Sequence, residues 1–500
     1  MRLLPFLGCA AGLSVQAQTA ARASVGRCET LVPPPPTQLA GRRSFEGVLE
    51  GLHADPSSSI LSKVLPRVPE LTRWEAWYEH PRTLSNGHVH TIAAARLRAT
   101  RACRYHRQLL PTADGGTLAF DLLAGIRRCS GLPSTESWEE QCDSRTQFVH
   151  TPPTLEPTRP FLLLVSGLGG GSQDTYVRAM AVAAAERGWQ VGVLNMRGCG
   201  NSPVTSPRFF SAFRGSTDDL RVAVQHVHAM LANATTVADH ASSGGAGSAG
   251  TAEPAAEGAV VPGSATVALL GWSNGGTIVN NYCAELATTH DAPAYRIDAA
   301  AALACPLNMP EGSKRLERPF QRAVYDRAIA GSLAEKFRGC RGLFVDGNGA
   351  ARSVPQWEGL PNGGSGFIAD VDGASRARTI REIDEYLTRR CFGFETVDEY
   401  YAHASSDQRL KFVRVPLLLL SAADDPIAPA SGIPLEAPME NPQLMLAVTR
   451  YGGHLGWCDR GDPWGAPEWV QRAALGFLEA VLELPEPEMK CVVPGCEIFD

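Results

Sequence analysis

The sequence predicts an α/β fold in which a mostly parallel sheet carries helices on both faces. Three observations predict it. Short apolar runs alternate with longer amphipathic segments; the most specific motif sits between one such run and a helical segment; and the residues that would complete its chemistry follow in order after later runs.

The elements follow in chain order. Pro160 to Val165 is a continuous apolar run of strand length, followed by Gly167-Leu168-Gly169-Gly170-Gly171. Asp174 to Arg187 has helical periodicity, and Gln190 to Leu194 is a second strand ending in Asn195-Met196-Arg197-Gly198. Asp218 to Leu231 is a helix, Ala265 to Leu270 a buried strand and Thr277 to Ala287 a helix. Ala299 to Leu303, Pro416 to Leu420 and Met445 to Val448 are further strands, while Ser58 to Tyr78 is helical at least in part. Runs apolar on both faces and separated by helices describe one doubly wound domain, with no internal repeat.

Soft segments interrupt this rhythm. Ala238 to Ser264 is Gly-, Ala-, Ser- and Glu-rich with almost no large apolar residue, so it is expected to be a disordered surface insertion. A second Gly-rich stretch runs from Asn348 to Ser375. The chain divides into a leader over 1–40, a main domain over 41–485 with a cap region at about 305–409, and a tail over 486–500. In the leader an apolar run to Val15 is too short to span a bilayer, and small residues follow it. Arg2, Arg22 and Arg27 precede the first acidic residue, Glu29, so a secretory signal, an organellar transit peptide and a plain tail all stay open.

A net charge of −6 gives no basic surface for nucleic acid. The 13 cysteines are scattered without a C-x-x-C pair, which argues against a zinc ribbon or a disulfide scaffold and for buried thiols. Cys491 and Cys496 are the one candidate pair, with reduction the commoner state inside cells.

The chemistry sits at strand ends. Gly271-Trp272-Ser273-Asn274-Gly275-Gly276 is a G-x-S-x-G turn between a strand and a helix, which makes Ser273 the candidate nucleophile. A serine hydroxyl needs a base, and His454, in Tyr451-Gly452-Gly453-His454 after the last strand, is in place to be one. The acid should follow the preceding strand, where Asp424 and Asp425 both qualify; the D-x-x-x-P turn from Asp425 to Pro429 favours Asp425. Two backbone N–H groups are expected to stabilise an oxyanion, those of Leu168 and Asn274. No cofactor is expected, since the Gly-rich run lacks the Lys-Ser/Thr ending of a phosphate loop.

With these residues in view, the chain resembles the YheT-like α/β-hydrolases (the AB hydrolase 4 group) from about Leu84 to Leu482. The resemblance rests on Asn86-Gly87-His88-Val89-His90-Thr91-Ile92, Asp114-Gly115, Tyr176-Val177-Arg178, Asn195-Met196-Arg197-Gly198-Cys199-Gly200 with Ser202-Pro203, Thr379 to Asp384, Phe392-Gly393-Phe394 and Asp398 to Tyr401. It implies an α/β-hydrolase fold, a triad of Ser273, one of the two aspartates and His454, and carboxylic esters of lipid type as substrates. It leaves peripheral membrane association open and implies no obligate protein partner. Ser166 stands where the family usually has histidine, and His90 replaces its glutamine. The resulting His88-x-His90 pair lacks a nearby third metal ligand. Phe320, Phe337, Phe344, Phe367 and Phe392 are candidates for an acyl channel, with packing of the cap as the plainer role for each. An alcohol acyltransferase using the same triad, a binding module without catalysis and a cofactor-free oxygenase are the alternatives.

Overall fold

In the computed structural model, residues 49–126, 146–242, 266–286, 295–352 and 368–484 are described, apart from 56, 74–75 and 82–83. The leader, the tail with Cys491 and Cys496, residues 243–264 of the first insertion and Phe367 lie outside them.

Ten strands form one sheet: β1 (Leu49–Ala54), β2 (Cys103–Pro111), β3 (Thr117–Ile126), β4 (Thr146–Phe148), β5 (Phe161–Val165), β6 (Gln190–Asn195), β7 (Val267–Trp272), β8 (Ala299–Leu303), β9 (Leu417–Ala422) and β10 (Leu444–Thr449). Their order is β1-β10-β9-β8-β7-β5-β6-β3-β2-β4. The six strands from β10 to β6 are parallel, while β1, β3 and β2 each join the sheet by antiparallel pairing.

Side-chain alternation explains why the central strands read as unbroken apolar runs. Phe161, Leu163 and Val165 enter one core and Leu162 and Leu164 the other. Leu417 and Leu419 part from Leu418 and Leu420 in the same way. Both faces are covered, so both sets must be apolar. The first core packs against the helices Ser216–Ser242 and Asn274–Glu285, and the second against Thr175–Glu186 and Glu468–Leu482.

The strands expected from the apolar runs are present with their ends moved by one or two residues. Those at the edges, β1 to β4, carry mixed polarity and were not legible. The helix from Ser216 runs to Ser242, which corrects the reading of Ala238 as the start of a disordered insertion. The Gly-rich stretch from Asn348 also ends in order, in the helix Val371–Arg376. Short helices from Met309 to Ala404 fill the connection from β8 to β9. Phe337, Phe344 and Phe392 are buried there, Phe337 against Phe344 and Phe209, so they serve the core rather than an open channel; Phe320 is half exposed. Of the described cysteines, all are free and all but Cys340 are buried. No helix among the described residues is long and apolar enough to cross a membrane.

Candidate active site

Ser273 occupies the turn between β7 and the helix Asn274–Glu285, with φ 51° and ψ −125°. A side chain rarely adopts this conformation, and the surrounding packing holds it there. The packing is tight enough to require glycine at 275, where a Cβ would lie 2.2 Å from the Ser166 carbonyl oxygen and 2.4 Å from that of Val165. The same closeness brings the glycine loop after β5 against the serine turn.

His454 follows β10. Its Nε2 lies 2.9 Å from Ser273 Oγ, and its Nδ1 lies 2.8 Å from Asp425 Oδ2. A carboxylate only accepts, so Nδ1 carries the proton and Nε2 is left to accept from the serine hydroxyl. Asp425 is itself held, with Oδ1 accepting from the N–H groups of Ile427 (2.7 Å) and Ala428 (2.9 Å). Both His454 and Asp425 are buried. The arrangement can raise the nucleophilicity of Ser273 and stabilise the imidazolium formed when the proton moves.

Asp424 does not join this row. Its Oδ1 accepts from the Gly453 N–H at 2.8 Å, and its Oδ2 is buried with no hydrogen-bond partner among the described residues. Burial, with the neighbouring Asp425 charge, pushes its carboxyl up to about 6. Of the two candidates, Asp425 is the one against the imidazole.

The two backbone amides expected to hold an oxyanion lie in the two segments that meet at Ser273. Asn274 opens its helix, so its N–H has no partner within the helix, and the helix dipole adds positive potential there. Leu168 lies in the glycine loop, where a Cβ on the preceding Gly167 would be 3.3 Å from Ser273 Cβ. The Ser166 side chain, in place of the family's usual histidine, is buried and its hydroxyl has no partner among the described residues.

The Asn86-to-Ile92 segment builds the floor beneath His454. Asn86 caps the helix Gly87–Arg96, its Oδ1 accepting from the His88 N–H. One turn on, Thr91 Oγ1 donates to the Gly87 carbonyl (2.7 Å) and accepts the His454 N–H (2.8 Å). His88 and His90 leave this helix on different sides. His88 Nδ1 lies 2.9 Å from the Tyr325 hydroxyl of the β8–β9 connection, and His90 Nδ1 accepts from the Cys458 N–H. Burial holds His90 down at about 4, so it is neutral. Among the described residues no cluster of three His, Cys, Asp or Glu fits a metal ion. The contacts of Thr91 with His454 and of Tyr325 with His88 had no signal in the sequence, since each is made across the fold.

Comparison with known proteins agrees with this architecture. No family model matches the chain. It is 32% identical over 407 residues to the embryogenesis-associated protein EMB8 of Picea glauca, covering 81% of this chain and 72% of that one. It is 26% identical over 380 residues to the phospholipase ABHD3 of Bos taurus, covering 76% and 72%. To the monoacylglycerol lipase of Saccharomyces cerevisiae it is 25% identical over 349 residues, covering 68% and 66%. With the sheet order, the serine turn and these relatives together, the chain belongs to the YheT-like α/β-hydrolases, the AB hydrolase 4 group.

Proposed function

We propose that this chain, a carboxylic ester hydrolase by family, cleaves lipid-type acyl esters with Ser273 as nucleophile, His454 as general base and Asp425 as the acid that orients it. The observation that carries the reading is the unbroken row from Asp425 through His454 to Ser273, at 2.8 and 2.9 Å. Ser273 attacks the ester carbonyl while Nε2 of His454 takes its proton, and the Leu168 and Asn274 amides hold the oxyanion. Collapse expels the alcohol, protonated by His454, and leaves an acyl-enzyme. Water, deprotonated by the same imidazole, then releases the acid. An alcohol in place of water would give a new ester, the acyltransferase outcome. The lipid character of the substrate is supported by relatives named phospholipase and monoacylglycerol lipase.

Fluorophosphonate labelling of wild type and Ser273→Ala, beside p-nitrophenyl esters of increasing acyl length, tests this. Wild type is expected to label and turn over, and the variant to do neither. Folded wild-type protein that does neither would sink the reading and favour a binding module.

A further inference from the structure

The glycine loop after β5 is fixed from below by a side chain that the chemistry above does not use. Gly167 to Gly170 form a turn in which the Gly167 carbonyl accepts the Gly170 N–H at 3.0 Å, with Gly169 at φ 76°. This is the left-handed third position of a type II turn. A trans peptide points its C=O and N–H in opposite directions, so tying the Gly167 carbonyl into the turn sends the Leu168 N–H outward.

The other end of Gly167 is held by Tyr176, the second residue of the helix Thr175–Glu186. Its hydroxyl accepts the Gly167 N–H at 3.0 Å. Its ring packs edge-on against Trp272, the residue before the nucleophile, with centroids 5.1 Å apart. One side chain therefore touches both loops that would supply the oxyanion donors. Asp174 completes the support: its Oδ2 accepts the Gly171 N–H at 3.1 Å, and it faces the Tyr176 hydroxyl beside Gly170, where a Cβ would meet both, at 2.2 and 2.8 Å. A hydroxyl has one proton; given to Asp174, it leaves the phenol lone pairs for Gly167. From above, Lys336 of the helix Arg327–Cys340 donates to the Gly169 carbonyl, and its charge offsets that of the half-buried Asp174.

We propose that Tyr176, with its proton direction set by Asp174, is a positioning residue that aims the Leu168 N–H at the oxyanion formed on Ser273. It acts through the loop backbone and touches no reacting atom. The inference rests on the serine-hydrolase reading, and it adds a residue that the triad and the serine turn do not predict.

The test is Tyr176→Phe, which deletes the hydroxyl and keeps the ring on Trp272. With the p-nitrophenyl ester that wild type turns over best, kcat is expected to fall about 10- to 100-fold, with KM within about threefold. A trifluoromethyl ketone with the matching acyl chain adds to the serine as a tetrahedral oxyanion. Its Ki should weaken by the factor lost in kcat/KM, because both report the transition state. Asp174→Asn keeps an acceptor for Gly171 but turns an NH2 toward the phenol. It should lose kcat in the same sense, and the double variant should lose less than the product of the two single losses. If Tyr176→Phe does not fold, Asp174→Asn alone carries the comparison. A folded variant with wild-type kcat and wild-type ketone affinity, or with its loss confined to KM, overturns the proposal. An inactive wild type instead removes the serine-hydrolase reading on which it rests.

Discussion

Asp424 and Asp425 are neighbours with opposite surroundings. Asp425 accepts two backbone N–H groups and the imidazole Nδ1–H, so its charge is fully supported. Asp424 accepts the Gly453 N–H, its other oxygen is buried with no partner among the described residues, and desolvation raises its carboxyl to about 6. A carboxyl raised in the folded state favours folding at low pH, below its unfolded value near 4, and loses that advantage as pH rises through 6. Asp424→Asn is therefore expected to gain about 1–3 kcal/mol above pH 7 and almost nothing at pH 4, measured by urea midpoints at both. Asp425→Asn should keep the fold and lower kcat by about 10⁴, as expected when the imidazole loses the group that fixes its tautomer. The reverse pattern would reassign the acid. The choice between these two residues was only partly legible in sequence. Both follow the strand, and only the path of the chain after β9 decides which oxygen meets the ring.

At the scale of elements, one helix outside the sheet's central strands shapes the site. The helix Gly87–Arg96 carries Thr91, whose hydroxyl fixes the backbone of His454 across 363 residues of sequence. Thr91→Val removes that acceptor at constant shape and leaves a buried N–H unpaired. Stability is expected to fall by about 1–3 kcal/mol, with kcat about tenfold lower as the imidazole loses its anchor. Unchanged kcat in the folded variant would make the helix a packing element only. The sequence marked this segment through its N-G-H string without showing that it is a helix or what the string is for. Its asparagine caps, and its threonine reaches a loop at the opposite end of the chain.

Across the whole molecule, several of the motif residues prove to be mortar. Arg197 of the Asn195-to-Gly200 loop reaches Asp114 between β2 and β3 (2.6 Å) and Asp219 of the helix Ser216–Ser242 (2.6 and 2.8 Å). Arg208 joins Asp114 from 3.4 Å. Asn195 donates to Asp121, which also pairs with Arg107 and accepts from Ser172. Removing one partner of such a buried set strands the others without water. Arg197→Met is expected to cost about 3–5 kcal/mol, read as a lower urea midpoint, while the protein that remains folded labels with fluorophosphonate at the wild-type rate. A small loss would mean that water reaches Asp219.

By itself the sequence determined the sheet's central strands, the serine turn and the order Ser273, aspartate, His454. Apolar periodicity, turn chemistry and glycine spacing are local properties, and each survives reading along the chain. The tertiary structure alone decided that Asp425 meets the imidazole, that Thr91 holds its backbone and that Tyr176 holds the glycine loop. It also decided that Phe337, Phe344 and Phe392 are core and that the edge strands exist at all. These features depend on contacts between distant segments, and their energy comes from burial and hydrogen bonds that form only when the sheet is assembled.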